Sequence, residues 1–204
     1  ACGHAPVRYW MHTNMLNFNG QKMSKSLGNS ILPMQFITGE HPLLDKAYSA
    51  MSVRFLFMQS HYSSELDITI KGLQDAEKGL KKLMNAAKFL KVLQFDAVAV
   101  DDKQDKLIRD LCNECKIVMD DDFNAPKLVA VLHELATQIN IYYSNNKKVN
   151  NISQSTYDLL HTTYVAYLFD VLGLNDEEQM GSNEALEKVM ELIIDIRKQA
   201  RDNK

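Results

Sequence analysis

Two lysines and two serines interleave within the run Lys22-Met23-Ser24-Lys25-Ser26, directly ahead of Leu27-Gly28-Asn29. Lysine brings a compact mobile charge and serine a hydroxyl donor. Such a set can surround phosphate oxygens and follow negative charge from an α-phosphorus onto a departing pyrophosphate. The chemistry it suits is nucleotidyl transfer. A solvated surface loop uses the same residue types, so composition alone leaves both readings open. What precedes the run says how it would be presented. Leu16-Asn17-Phe18 leads into Asn19-Gly20, a pair that accepts the positive φ angles of a type I′ turn, so two strands are predicted to fold back there. The lysines and serines follow on the returning strand, and Gly28-Asn29 reads as a flexible exit.

Other clusters of reactive side chains have structural readings of equal or greater weight. Cys112 and Cys115 could form half a metal knuckle, but structural zinc needs four ligands and the chain has only one further cysteine, Cys2. On a helix their three-residue spacing puts both thiols on one face, beside Leu111 and Val118, which predicts core packing. Asp120 to Asp122 could gather magnesium. Alternatively, Asn124 followed by Pro126 reads as a helix start, with the acids beside its N-terminal dipole. Lys71, Lys78, Lys81, Lys82, Lys88 and Lys91 outnumber Asp75 and Glu77 on one predicted helix, a locally basic face open to solvent or to a nucleic-acid backbone. The six histidines form no close pair with metal-ligand spacing.

The elements that must hold these groups change character near residue 70. Before it, Pro6, Pro33 and Pro42 punctuate short apolar stretches, which predicts brief strands and short helices. After it, apolar residues recur at three- and four-residue steps. The stripes run Leu73, Ala76, Leu80, Leu83, Met84, Ala87, Leu90; then Leu107, Leu111, Cys112, Cys115, Val118, Met119; then Leu128, Leu132, Leu135, Ile139, Tyr142; then Tyr157, Leu160, Tyr164, Leu168. They predict a four-helix bundle, with a fifth helix over Leu186, Val189, Met190, Ile193 and Arg197. Ser144 to Ser155 and Leu174 to Asn183 read as exposed connections.

Composition bounds what such a chain can be. At 204 residues, 46% hydrophobic and 24% charged, it can bury an ordinary core, which excludes a disordered tail or a disulfide-stapled miniprotein. A formal charge of -3 excludes a protein that coats nucleic acid nonspecifically, so any polyanion site is local. Three cysteines make no disulfide framework, which points to a reducing, cytoplasmic setting. No apolar run approaches the roughly 20 residues that span a bilayer, and no membrane association is expected. The chain starts at Ala1 without a methionine, so a longer parent is expected.

Residue order adds what composition cannot. Lys22 to Ser26 spells KMSKS and resembles the second signature of class I aminoacyl-tRNA synthetases. Tyr9-Trp10-Met11-His12, Ser60-His61-Tyr62 with Leu66-Asp67, and Met119-Asp120-Asp121-Asp122-Phe123-Asn124-Ala125-Pro126 are similar to cysteinyl-tRNA synthetases, in that order and at similar spacing. Methionyl enzymes share KMSKS; the Asp120 to Pro126 segment disfavours them.

The resemblance implies an α+β stub, the end of a Rossmann-type catalytic domain with the KMSKS loop and stem-contact fold, over residues 1–70. An all-α bundle of the tRNA and anticodon side follows over 71–174, and a linker and final helix over 175–204. It implies catalytic roles for Lys25 and Lys22, with ATP contacted by Lys22, Met23, Ser24, Lys25 and Ser26. Arg54, His61, Tyr62, Lys78 and Lys82 become candidate tRNA contacts, and Trp10 and His12 would border the nucleotide or cysteine pocket, although a lone strand aromatic also suits a core. The implied parent is a monomeric cysteine-tRNA ligase using cysteine, ATP with Mg2+, and tRNA(Cys). Its histidine-bearing first signature and its Zn2+ ligands are not found in this chain, so the chain alone is expected not to aminoacylate. The sequence departs from the pattern in extra residues between Asn29 and Val53, and in Ser63 and Glu65, where arginine and proline are usual. The reading from a different class is a noncatalytic tRNA-binding or helical interaction module.

Overall fold

The computed structural model describes residues 3, 7–96 and 99–176. The chain forms two compact units, Ala1–Leu174 and Asn175–Lys204. Of the second, only residues 175 and 176 are described, so the expected fifth helix lies outside the described residues.

The first unit opens with the predicted hairpin. Strand β1 (Leu16–Phe18) pairs antiparallel with β2 (Gln21–Lys22), setting Asn17 opposite Lys22 and Phe18 opposite Gln21. Asn19 and Gly20 have φ of 50° and 76°, as a type I′ turn demands. A third strand, β3 (Leu66–Ile68), joins the other edge of β1 in parallel, giving the order β2-β1-β3. Parallel neighbours need a crossover. It is supplied by α1 (Pro33–Thr38) and α2 (Ala50–Met58). Asp67 on β3 then fixes the hairpin, its Oδ1 accepting from the Gly20 amide at 2.8 Å.

The segment between Asn29 and Val53 is ordered by contact with the helices. Helix α1 ends at Gly39, φ 74°, where a Cβ would sit 2.7 Å from the Ala47 amide nitrogen, so only glycine fits. Tyr48 is buried beyond this turn and donates its hydroxyl to Asp45 at 2.6 Å. Asp45 also accepts from Gln74 at 2.8 Å, and Lys46 pairs with Glu77 at 2.6 Å. Both partners stand on α3 (Ile70–Leu90), so the loop docks there.

Four long helices follow: α3, α4 (Asp102–Asp120), α5 (Ala125–Ser144) and α6 (Gln154–Val165), the last continuing into a π-helical turn over Ala166–Val171. Thr69 caps α3 by accepting from Gly72, and Asn124 caps α5 by accepting from Lys127, as the Asn124–Pro126 pattern predicts. The predicted stripes of α3 and α5 are the buried ones. On α4 the face is rotated by one residue at its start, with Ile108 buried and Leu107 exposed. Ile108, Cys112 and Cys115 lie four and three residues apart and define one stripe, which Leu107 misses.

The stub and bundle share one core. Gly79 on α3 would place a Cβ 2.9 Å from Phe55 Cε1 on α2 and 3.7 Å from His133 Nε2 on α5. Its missing side chain lets the three helices meet. Tyr164 on α6 donates its buried hydroxyl to the Leu83 carbonyl of α3 at 3.0 Å.

The Ser144 to Ser155 connection is more than an exposed loop. It contains β5 (Lys148–Val149), parallel to β4 (Gln94–Phe95), and both Val149 and Ile152 are fully buried. Two apolar anchors among polar neighbours give no strand periodicity, which is why the sequence hides this pairing. Beside it, Asp105 accepts from the Ser153 amide at 2.7 Å and from Arg109 at 2.8 Å.

Candidate functional site

The Lys22–Asn29 loop is built from the hairpin outward. The Met23 amide donates to the Leu16 carbonyl, extending the β1–β2 ladder by one bond, and the Met23 side chain packs on the core. From that anchor Ser24 starts a single 3-10 turn over Lys25–Leu27, its Oγ accepting from the Leu27 amide at 3.3 Å. Gly28, φ 66°, ends the turn in the left-handed region and donates to the Lys25 carbonyl at 3.2 Å. Ser24 and Ser26 hydroxyls lie 3.1 Å apart.

Asn29 closes the loop, which corrects the reading of Gly28-Asn29 as a flexible exit. Its side-chain oxygen accepts from the Ser24 amide at 2.8 Å, and its nitrogen donates to the Lys22 carbonyl at 3.1 Å. At 8% exposure it is the buried polar residue of this loop. A buried amide that satisfies two backbone groups at once sets the distance between them. With the loop held from both ends, Lys22 and Lys25 remain exposed on the same short segment, flanked by two hydroxyls. This is an arrangement of cations and donors suited to phosphate oxygens. An open apolar cleft of about 550 Å³ runs behind the loop, lined by Leu16, Met23, Ile31, Phe36, Val53 and Ile68.

The residues expected at an RNA surface are distributed differently. Arg54 on α2 donates through Nε to the Leu172 carbonyl at 2.9 Å, tying α2 to the end of the π-helical turn. His61 and Tyr62, with ring centroids 4.7 Å apart, both meet the turn between α4 and α5. His61 Nε2 lies 3.1 Å from the Asp122 carbonyl oxygen, and the Tyr62 hydroxyl donates to Asp122 Oδ1 at 2.7 Å. That bond to Asp122 is the main reason the Tyr62 phenol is pushed above its ordinary range. Lys78 and Lys82 stand exposed on α3, Lys78 with a loose 3.4 Å ion pair to Asp75. Lys82 lies near His133, whose imidazole is lowered first by burial and then by that charge.

Two residues depart from their expected settings. Trp10 is not core: it is 70% exposed and stacks on His12 at 6.1 Å, outside any strand. Within the described residues no element covers it. Ser63 and Glu65 stay in local contacts, Ser63 with His61 at 2.7 Å and Glu65 with Asn17 at 3.2 Å.

The cysteine pair behaves as packing. Cys112 and Cys115 are buried, and burial pushes their thiols up to about 11 and about 12, so neither is a thiolate near neutrality. The Zn2+ implied by the resemblance does not fit these residues. Among the described residues no three His, Cys, Asp or Glu side chains gather to hold a metal. Asp121 instead pairs with Lys127 at 3.0 Å, which lowers its carboxyl. No helix of the described residues is long and apolar enough to cross a membrane.

Residues 1–78 match the family model "tRNA synthetases class I (C) catalytic domain", and residues 117–176 match the "DALR domain". The chain is 41% identical over 204 residues to a cysteine--tRNA ligase of Porphyromonas gingivalis and 43% over 206 residues to that of Parabacteroides distasonis. Each alignment covers 99% of this chain and 40% of the relative. A cysteine--tRNA ligase of Thermococcus gammatolerans is 31% identical, over all of this chain and 42% of its own length. The chain belongs to the cysteinyl-tRNA synthetase family and spans about 40% of the length of the curated relatives it matches.

Proposed function

We propose that this chain carries the nucleotide-activating loop and RNA-side helices of a cysteine-tRNA ligase. Residues 1–70 form the end of the catalytic domain with its KMSKS loop and stem-contact fold, 71–174 the helical bundle, and 175–204 a linker and final helix. The whole enzyme activates cysteine with ATP, delivered as its Mg2+ complex, then transfers cysteinyl to tRNA(Cys). It acts as a cytoplasmic monomer, and this chain alone does not complete the reaction.

The observation that carries the reading is the closed Lys22–Asn29 loop, in which neither lysine is paired to a carboxylate among the described residues, in a chain of this family. When the cysteine carboxylate attacks the α-phosphorus, negative charge moves onto pyrophosphate. Lys25, presented by the 3-10 turn, stabilises that charge, and Lys22 supports it from the strand end. Ser24 and Ser26 supply hydroxyl donors, and Met23 anchors the loop on the core. A preorganised donor aimed at developing charge contributes about 3–4 kcal/mol to lowering a barrier.

On the RNA side, exposed Lys78 and Lys82 on α3 contribute backbone contacts that weaken with salt. Arg54 is exposed and has Nε bonded to the Leu172 carbonyl, which leaves its remaining guanidinium donors to meet RNA, while His61 and the Tyr62 hydroxyl face the α4–α5 turn at the same surface. The test is ATP–pyrophosphate exchange by the full-length protein across a panel of amino acids. Exchange that depends on cysteine and not on methionine supports the reading; exchange with another amino acid, or with none, overturns it.

A further inference from the structure

The turn between α4 and α5 is an expensive piece of backbone. Asp122 and Phe123 have φ of 55° and 52°, two consecutive left-handed residues without a glycine between them. The turn closes α4, the Phe123 amide donating to the Met119 carbonyl and the Asn124 amide to the Val118 carbonyl. Glycine would close it at lower cost, since a side chain in this region is strained by about 1–2 kcal/mol per residue. What aspartate adds at position 122 is a carboxylate aimed away from its own helix. That carboxylate accepts the Tyr62 hydroxyl at 2.7 Å and lies 3.8 Å from His61 Nε2, while the Asp122 carbonyl oxygen is 3.1 Å from the same nitrogen. His61 is steadied from behind by Ser63, at 2.7 Å from Nδ1.

The other end of this contact leads to the strand that bears the loop. The Asn14 amide donates to the Tyr62 carbonyl at 3.1 Å, and Asn14 Nδ2 donates to the Ser63 carbonyl at 3.1 Å, just ahead of β1. Asp122 touches neither the Lys22–Asn29 loop nor the Asp67–Gly20 bond that fixes the hairpin. It ties the bundle to the strand module without taking part in the geometry of the lysines.

We propose that Asp122 is a positioning residue that sets the α4–α5 end of the helical bundle against the strand module, so that it governs the tRNA-dependent step and not the nucleotide step. The proposal rests on the cysteine-tRNA ligase reading and deepens it. Losing the tie leaves Lys22 and Lys25 as they are. Helix α3 stays in place through its direct continuation from β3 and its packing on α2, and what is freed is the α4–α5 end of the bundle, whose added range of positions RNA binding must then restrict.

The test compares wild type, Asp122→Gly and Asp122→Asn in the full-length protein, measuring pyrophosphate exchange and tRNA aminoacylation on the same preparations. Asp122→Gly removes the carboxylate and relieves the left-handed strain, so loss of folding does not obscure the result. For Asp122→Gly we expect the KM for tRNA to rise about tenfold, with the exchange kcat and the KM for ATP within about twofold. Asp122→Asn keeps an oxygen for Tyr62 and the backbone carbonyl for His61, and should stay within about threefold throughout. A parallel fall of both activities, no change in either, or equal damage from Asp122→Asn overturns the proposal. Failure of the wild-type protein to exchange pyrophosphate with cysteine would instead overturn the reading on which it rests.

Discussion

Replacing Asn29 by alanine should slow amino-acid activation without removing any charged group. The side chain makes two bonds, to the Ser24 amide at 2.8 Å and the Lys22 carbonyl at 3.1 Å, in a site 8% exposed. Each is worth about 1 kcal/mol net, and water recovers part of the loss at a surface loop, which leaves about 1–2 kcal/mol favouring the closed loop. At 1.4 kcal/mol per decade this corresponds to a roughly 5–30-fold smaller closed-to-open ratio, the upper limit of the effect on rate. The exchange kcat of the full-length protein should fall by more than about twofold and by up to about 30-fold, while the KM for ATP should change by no more than about threefold, because Lys22 and Lys25 still attract phosphate. Asn29→Asp should fall at least as far, since its carboxylate accepts from Ser24 but faces the Lys22 carbonyl with like charge. An exchange rate for Asn29→Ala within about twofold of wild type would refute the clasp.

Three further outcomes follow from the packing. Gly79→Ala gains about 1 kcal/mol of helix propensity but sets a Cβ 2.9 Å from the fully buried Phe55 ring, and overpacking costs about 1–3 kcal/mol, so the Tm of the full-length protein should fall. Cys112 and Cys115 should resist alkylation at neutral pH in the native protein and react on denaturation, as read by mass spectrometry of tryptic peptides. Burial alone would raise the Asp105 carboxyl, but the Arg109 and Ser153 bonds outweigh it and hold the group well below the carboxylate range. Its folded pKa is depressed, so its stabilising share is present above the unfolded value near pH ~4 and is lost as pH falls further. Thermal melts below that pH should show a shallower decline in Asp105→Asn than in wild type.

The bundle was legible because its helices bury stripes at the helical period. Leu73 to Leu90 and Leu128 to Tyr142 are the faces the structure buries, and Asn19-Gly20 announced the hairpin. What escaped the sequence depends on partners distant along the chain. Arg54 meets Leu172, Tyr62 meets Asp122, and Asp67 meets Gly20, and no local pattern encodes such pairs. The β4–β5 pairing rests on single apolar residues, too few to show a period. Asn29 was misread because asparagine after glycine is common in flexible turns; the available signal was a polar side chain seven residues from Lys22, across a tight turn where an amide can reach both strands. Motif order pointed to the lysines as candidates, and only the fold showed what holds their loop.

The central claim is that Lys25 stabilises the charge that develops during cysteine activation. The most direct measurement is cysteine-dependent pyrophosphate exchange by the full-length protein and its Lys25→Ala variant, with tRNA affinity measured alongside. The variant's kcat should be about 10²–10³-fold lower with tRNA affinity nearly unchanged. An unchanged exchange rate would contradict it.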